Sequence, residues 1–140
     1  MQLKIKKLHP EAKLPTYAHD NDAGMDLFAS ESCTLKPGER VQVKTGIALA
    51  IPDGYVGLVW DKSGLSHKYG LKTLGGVVDA GYRGELMVGL VNVGSDTHIF
   101  NVGDKVAQML IQKVEQPTLV EVDVLDETAR GEGAFGSTGK

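Results

Sequence analysis

The sequence predicts an all-β chain, a jelly-roll-like antiparallel β-sandwich or barrel. Three observations carry this: hydrophobic stretches alternate with period two, turn clusters recur about every ten residues, and only one short stretch can make a helical turn. Strands are expected at Leu3/Ile5, at Val41/Val43, at Ile47/Leu49/Ile51, over Tyr55 to Trp60, and over Leu119-Val120-Glu121-Val122-Asp123-Val124. Leu86 to Val93 and Val106 to Val114 are apolar at successive positions, which suits strands covered on both faces, by a sheet on one side and a neighbouring subunit on the other. Between them stand Pro37-Gly38, Pro52-Asp53-Gly54, Gly75-Gly76, Ala80-Gly81, Gly94-Ser95-Asp96 and Val102-Gly103-Asp104, each a turn signal. The helical turn falls within Lys62 to Tyr69, kept short by Gly64 and Gly70.

With 140 residues the chain has the size of one domain. Residues 1–125 form the expected β body. Residues 126–140, rich in Gly, Ser and Thr, form a flexible tail. A net charge of −3 gives a nucleic-acid backbone no general attraction. Hydrophobic residues at 41% and charged residues at 24% are ordinary globular usage, so the chain folds. A lone cysteine, Cys33, permits no intrachain disulfide, CxxC pair or four-thiolate zinc site, and burial suits it better than nucleophilic work. No apolar run approaches the roughly 20 residues that span a bilayer, and Met1 to Lys7 has no leader-like core, so no membrane role and a cytoplasmic location are expected.

Several stretches can carry chemistry. The tail segment Arg130-Gly131-Glu132-Gly133-Ala134-Phe135-Gly136-Ser137-Thr138-Gly139 joins a cation, two hydroxyls, mobile backbone and one aromatic ring. It is not a P-loop, since five residues rather than four separate Gly133 from Gly139 and no Ser or Thr follows Lys140. It reads either as a solvated end or as a phosphate-binding flap, in which glycine amides approach the anion and Arg130 grips it with two N–H groups. Asp79 follows the apolar Val77-Val78 and precedes Ala80-Gly81 in a hairpin-like stretch, where it either caps the turn or serves as general base for water. Asp26 alternates with apolar neighbours and suits the end of a strand. His9, His19, His67 and His98 show no metal-site spacing, and no GxSxG elbow occurs.

In order along the chain, five segments resemble the five motifs of the trimeric dUTPase family. They are Ala23-Gly24-Met25-Asp26-Leu27-Phe28-Ala29, Lys62-Ser63-Gly64-Leu65-Ser66, Gly76 to Gly84 around Asp79 and Tyr82, Gly103-Asp104-Lys105-Val106-Ala107-Gln108, and the tail motif from Arg130. The resemblance implies a homotrimer with active sites between subunits, in which one chain's tail closes a site on another. It also implies Mg²⁺-assisted hydrolysis of dUTP to dUMP and pyrophosphate, limiting uracil in DNA. Carried over, Asp79 activates the water that attacks the α-phosphorus. Tyr82 packs on the deoxyribose, and the backbone of Gly76, Val77 and Val78 reads the uracil edge. Lys62, Ser63, Gly64, Gln108, Arg130, Gly136, Ser137 and Thr138 hold the nucleotide, Phe135 covers the base, and Asp26 supports the water shell of a Mg²⁺ held mainly by substrate phosphates.

The chain departs from the pattern at Lys62, where the family usually has Arg, at Ala80-Gly81 before the Tyr, and at Ala134 where a Gly is usual. Lysine keeps the charge but loses the planar fork. Two rival readings remain at this point: a dCTP deaminase-type or bifunctional enzyme, which would place a catalytic Glu at Gly89, and a non-catalytic nucleotide sensor.

Overall fold

The computed structural model describes residues 1–139; Lys140, the last residue of the expected tail, lies outside the described residues. Among them the chain forms β1 (Lys4–Lys7), β2 (Met25–Phe28), β3 (Cys33–Leu35), β4 (Arg40–Ala50), β5 (Tyr55–Trp60), α1 (Ser63–Tyr69), β6 (Leu71–Leu74), β7 (Val77–Val78), β8 (Glu85–Asn92), β9 (His98–Phe100) and β10 (Lys105–Lys113). Every pairing is antiparallel, in sheets ordered β1-β4-β8-β6 and β2-β10-β5-β7 with a small β3-β9 ribbon. Alternate side chains from the two larger sheets and the ribbon meet in one core, including Leu27, Leu35, Val43, Ile47, Val88, Leu90, Phe100, Val106 and Met109. The expected jelly-roll-like antiparallel class is therefore the observed one. No described helix is long and apolar enough to cross a membrane.

Helix α1 ends where the sequence places its stop: Gly70 takes the left-handed conformation at φ 69°, and its N–H returns to the Ser66 carbonyl at 2.9 Å. The long strand β4 keeps its register with β8 only by bulging between Lys44 and Ala48. Gly46 sits in the bulge at φ 67°, its N–H donating to Glu85 Oε1 at 2.9 Å, and a Cβ there would meet the Ala12 Cβ at 2.8 Å. Asn92, fully buried at the end of β8, donates to the carbonyls of Leu35 and Asp96 and accepts from the Gly94 N–H, so each of its polar atoms is satisfied.

One expectation needs correction. Leu119 to Val124 alternates like a strand but forms none, and Leu119, Val120 and Val124 stand exposed. Alternation reports an amphipathic edge, whereas a strand also needs a neighbour for its N–H and C=O groups, and among the described residues no strand pairs with this segment. In β8 the chain itself covers one face: Leu86, Val88 and Leu90 are buried, while Met87 on the other face, expected to lie against a neighbouring subunit, is 40% exposed in the single chain.

His98 stacks between Tyr69 at 4.8 Å and Phe100 at 4.5 Å, centroid to centroid. Burial pushes its pKa below the ordinary histidine value, against a weaker opposite pull from Asp104. A histidine that resists protonation when folded contributes its full stability above the unfolded pKa of about 6.5 and loses it as pH falls below that value. Thermal unfolding of His98→Gln is expected to vary less between pH 7 and pH 5 than that of the unaltered chain; equal slopes would place the pH dependence elsewhere.

Candidate active site

The chain leaves one sheet and enters the other at Gly75-Gly76. Before the crossing β6 pairs with β8, Leu74 opposite Gly89; after it β7 pairs with β5, Val77 opposite Leu58. Gly76 makes the crossing at φ 113°, accepting the Val59 N–H at 2.8 Å, and a Cβ on it would lie 2.7 Å from the Val59 carbonyl oxygen. The β6–β8 hairpin is thereby splayed open at its tip, and a cleft of about 270 Å³ opens between the sheets. Gly76, Val77, Val78, Asp79 and Tyr82 line it, together with Gln42, Glu85, Met87 and Gly89.

Asp79 stands on the rim with an exposed side chain, its carbonyl accepting the Tyr82 N–H at 3.1 Å in the turn that follows. The Tyr82 hydroxyl donates to the Glu85 carbonyl at 2.9 Å, which fixes the ring across Gly84, the residue beneath it where any side chain would collide with the ring. Arg83 folds back on the carbonyls of Ala80 and Tyr82, 2.5 and 2.8 Å away, and so tightens the same turn. Glu85 is a second carboxylate on the cleft that sequence reasoning did not single out; its Oε1 is engaged by the Gly46 N–H. Only the long-range contact with the β4 bulge reveals it. Gly89 contributes backbone alone, and a side chain there would meet the Leu74 carbonyl at 2.9 Å.

Ser63 and Gln108 line a different cleft, of about 380 Å³, with Trp60, Asp61, Ser66, His67 and Leu110. Gln108 pairs in register with both Asp26 and Trp60, and its Nε2 donates to the Asp61 carbonyl at 2.8 Å, tying β2, β5 and β10 together. Asp61 Oδ1 accepts the Thr73 N–H at 2.6 Å and its Oδ2 pairs with Lys72 at 2.8 Å. Burial works to raise the Asp61 pKa; Lys72 and Thr73 outweigh it and hold the carboxyl below its ordinary value.

Lys62 precedes α1 and supplies no side-chain cap; its ammonium donates to Asp26 Oδ1, and Lys105 lies 2.7 Å from Oδ2, off the hydrogen-bonding angle. Asp26 is 2% exposed. Burial works to raise its pKa, but the two lysines prevail and keep it below the usual carboxylate value. Expected to stand behind a metal-bound water, Asp26 thus closes both carboxylate oxygens against lysines.

The tail reaches neither cleft. Within residues 126–139 turns form over 129–132 and 135–138, with Gly131 N–H on Thr128, Gly133 N–H on Arg130 and Ser137 N–H on Ala134. Arg130 Nε donates to the Gly133 carbonyl at 2.9 Å, Phe135 is fully exposed, and Ser137, Thr138, Gly64 and Gly136 are exposed. Within one chain the expected site residues therefore form three separated groups: the Asp79 cleft, the Ser63–Gln108 cleft with Lys62 behind it, and the tail.

These features define a class: an antiparallel β protein of jelly-roll type, bearing two small polar clefts and a glycine-rich terminal segment. The family model described as dUTPase matches residues 10–139. Among curated relatives, the deoxyuridine 5'-triphosphate nucleotidohydrolase of Thermobifida fusca is 49% identical over 99% of this chain and 79% of its own length. The enzyme of the same name from Clostridium tetani is 46% identical over 99% and 97%. Among solved structures, a mutant dUTPase of Staphylococcus bacteriophage 80alpha with dUpNHpp superposes with a TM-score of 0.94 at 31% identity, covering 99% of each chain. A mutant dUTPase from phage phi11 of S. aureus, described for the coordination of a structural Mg(II) ion, superposes at 0.84 with 32% identity over 89% of this chain and 98% of that one. The chain belongs to the dUTPase family.

Gly76→Ala is expected to cost about 1–3 kcal/mol of folding stability, because its Cβ meets fixed backbone at a positive φ. Denaturant unfolding measures it, and an unchanged midpoint would mean that the crossing relaxes freely.

Proposed function

We propose that this chain is a dUTP diphosphatase that cleaves dUTP to dUMP and pyrophosphate, working as a homotrimer. The observation that carries the reading is the Asp79 carboxylate on the rim of a cleft walled by the backbone of Gly76, Val77 and Val78. Fixed backbone donors and acceptors match the N3–H and O4 edge of uracil, refuse the amino group of cytosine, and leave no room for a C5 methyl. At about 270 Å³ the cleft has the size of a nucleoside rather than of a whole nucleoside triphosphate, so the phosphates extend outward past Asp79. Tyr82, held by the Glu85 carbonyl, packs against the sugar where a 2′-hydroxyl would clash. The phage 80alpha relative carries dUpNHpp, a ligand of the same class.

In this reading Asp79 orients a water in line with the α-phosphorus and takes its proton, and pyrophosphate leaves. Phosphoryl transfer is chiefly positioning and charge neutralisation, which Lys62, Ser63, Gly64 and Gln108 supply from one side. The tail supplies the rest, Arg130, Gly136, Ser137 and Thr138 on the phosphates and Phe135 over the base. Mg²⁺ enters with the nucleotide and neutralises phosphate charge when bound. Its ligands come mainly from the triphosphate: among the described residues no group of three or more His, Cys, Asp or Glu gathers, and Asp26 is taken up by lysines.

Assembly from three copies is supported by what one chain leaves undone. The expected groups are apart, the Leu119 to Val124 segment lacks a neighbour, and the outward face of the β5–β10 pair exposes Trp60 at 54% beside the half-buried Leu58 and Leu110. A second copy covers that face and brings one chain's Ser63–Gln108 cleft to the other's Asp79, while the tail crosses to a further site. A deaminase finds no acid at Gly89, and a pure sensor has no use for Asp79.

Pyrophosphate release with dUTP, dTTP, dCTP and UTP side by side is expected to favour dUTP strongly, with light scattering showing three chains per particle. Ammonia from dCTP, or a monomer with full activity, would overturn the reading. Asp79→Asn is expected to retain dUpNHpp binding and lose at least about 100-fold in kcat. Truncation after residue 129 is expected to leave the particle intact and reduce turnover sharply; unchanged kinetics would remove the tail from the reaction.

A further inference from the structure

Two lysines on one buried carboxylate leave a positive charge beside the Ser63–Gln108 cleft. Asp26 comes from β2, Lys105 opens β10, and Lys62 closes the turn between β5 and α1. Three elements thus converge on one anion that is 2% exposed and that would be costly to bury alone. Neither lysine is sealed: the Lys62 side chain is 27% exposed and that of Lys105 48%. Lys62 directly precedes Ser63, and Gln108, opposite Asp26 in the ladder, lines the same cleft as Ser63.

The charge count decides what the second lysine does. Lys62 and Asp26 alone make a neutral pair, a poor receptor for a polyanion. With Lys105 on the other oxygen the cluster carries one net positive charge, and the Lys62 ammonium, which spends one of its three N–H donors on Asp26, keeps the others for a ligand. Asp26 meanwhile restrains a flexible side chain, which partly restores the preorganisation that an arginine fork would have given. We propose that Lys105 is a positioning residue for triphosphate binding: it takes up the charge of Asp26 and leaves the tethered Lys62 ammonium to receive a phosphate oxygen. The inference rests on the dUTP-cleaving reading and extends it to a residue with no role in that scheme.

The test compares the unaltered chain with Lys105→Gln, Lys105→Arg and the double variant Asp26→Asn/Lys105→Gln, in dUTP kinetics and in inhibition by inorganic tripolyphosphate, with melting temperatures taken alongside. Lys105→Gln is expected to raise KM for dUTP and the tripolyphosphate inhibition constant about tenfold, with kcat within about twofold, as loss of uniform binding requires. Lys105→Arg restores both constants. The double variant recovers part of the loss, because removing the anion together with one cation returns the net charge to that of the original cluster while giving up the tether on Lys62, and this comparison stands even where Lys105→Gln melts early. Unchanged constants in Lys105→Gln, or a double variant no better than the single, would overturn the proposal. Absence of dUTP cleavage by the unaltered chain would instead refute the functional reading, while direct calorimetric binding of tripolyphosphate to the same variants would still decide the role of Lys105.

Discussion

The crossing at Gly75-Gly76 is the constraint on which the rest of the cleft depends. Two sheets share a core, and the chain must pass from the edge of one to the edge of the other within two residues. A β-carbon at the second of these would strike the Val59 carbonyl, so only glycine holds β7 in its ladder against β5. Because β6 stays with β8 while β7 departs, the hairpin tip is pried apart, and the polar backbone exposed by that opening is what a base edge can read. The same geometry sets Asp79 one residue beyond β7, outside the ladder and on the rim. The placement of Asp79, the base in the proposed reaction, is a by-product of sheet topology rather than of a dedicated loop.

The elements most legible in the sequence were those long enough to display a period. Strand β5 is found over Tyr55–Trp60 as expected, β8 and β10 within a residue of expectation, and α1 inside the Lys62 to Tyr69 stretch, running through Gly64 and stopped at Gly70. Of the short strands, β3 and β9 were not anticipated and β7 was read only inside a hairpin-like stretch, since two or three positions cannot establish a repeat. The Leu119 to Val124 segment shows the converse failure: its pattern is clear, yet strand formation is a property of a pair, and among the described residues no strand pairs with it. Motif order identified the family. It could not reveal that Glu85 enters the cleft, because this follows from a bulge about forty residues earlier in the chain.

One chain divides the expected chemistry among surfaces that do not meet. A monomer could in principle fold so as to gather base, phosphate clamp and lid, but a small sandwich has its two sheet faces and its ends pointing in different directions. On the proposed trimeric reading, completing the site between copies would turn this limitation into a control: water attack on a triphosphate would require assembly, with the exposed apolar face around Trp60 as its driving force. Leaving the tail unattached in the single chain fits the same logic, since a lid has to open for product to leave.

The cluster around Asp26 shows how substitution at one motif position is absorbed by another. Replacing a planar, bidentate cation with a flexible ammonium at Lys62 loses geometric definition, and a lone lysine beside solvent would also lose rotamer freedom on binding an anion. Pairing it with a buried carboxylate recovers definition but cancels its charge. A second lysine restores the charge without disturbing the tether, and its place at the bulged start of β10 lets it reach the opposite oxygen of the same carboxylate. Definition and charge are thus supplied by different residues, so a family comparison that scores Lys62 alone as a weakened arginine would underestimate the site.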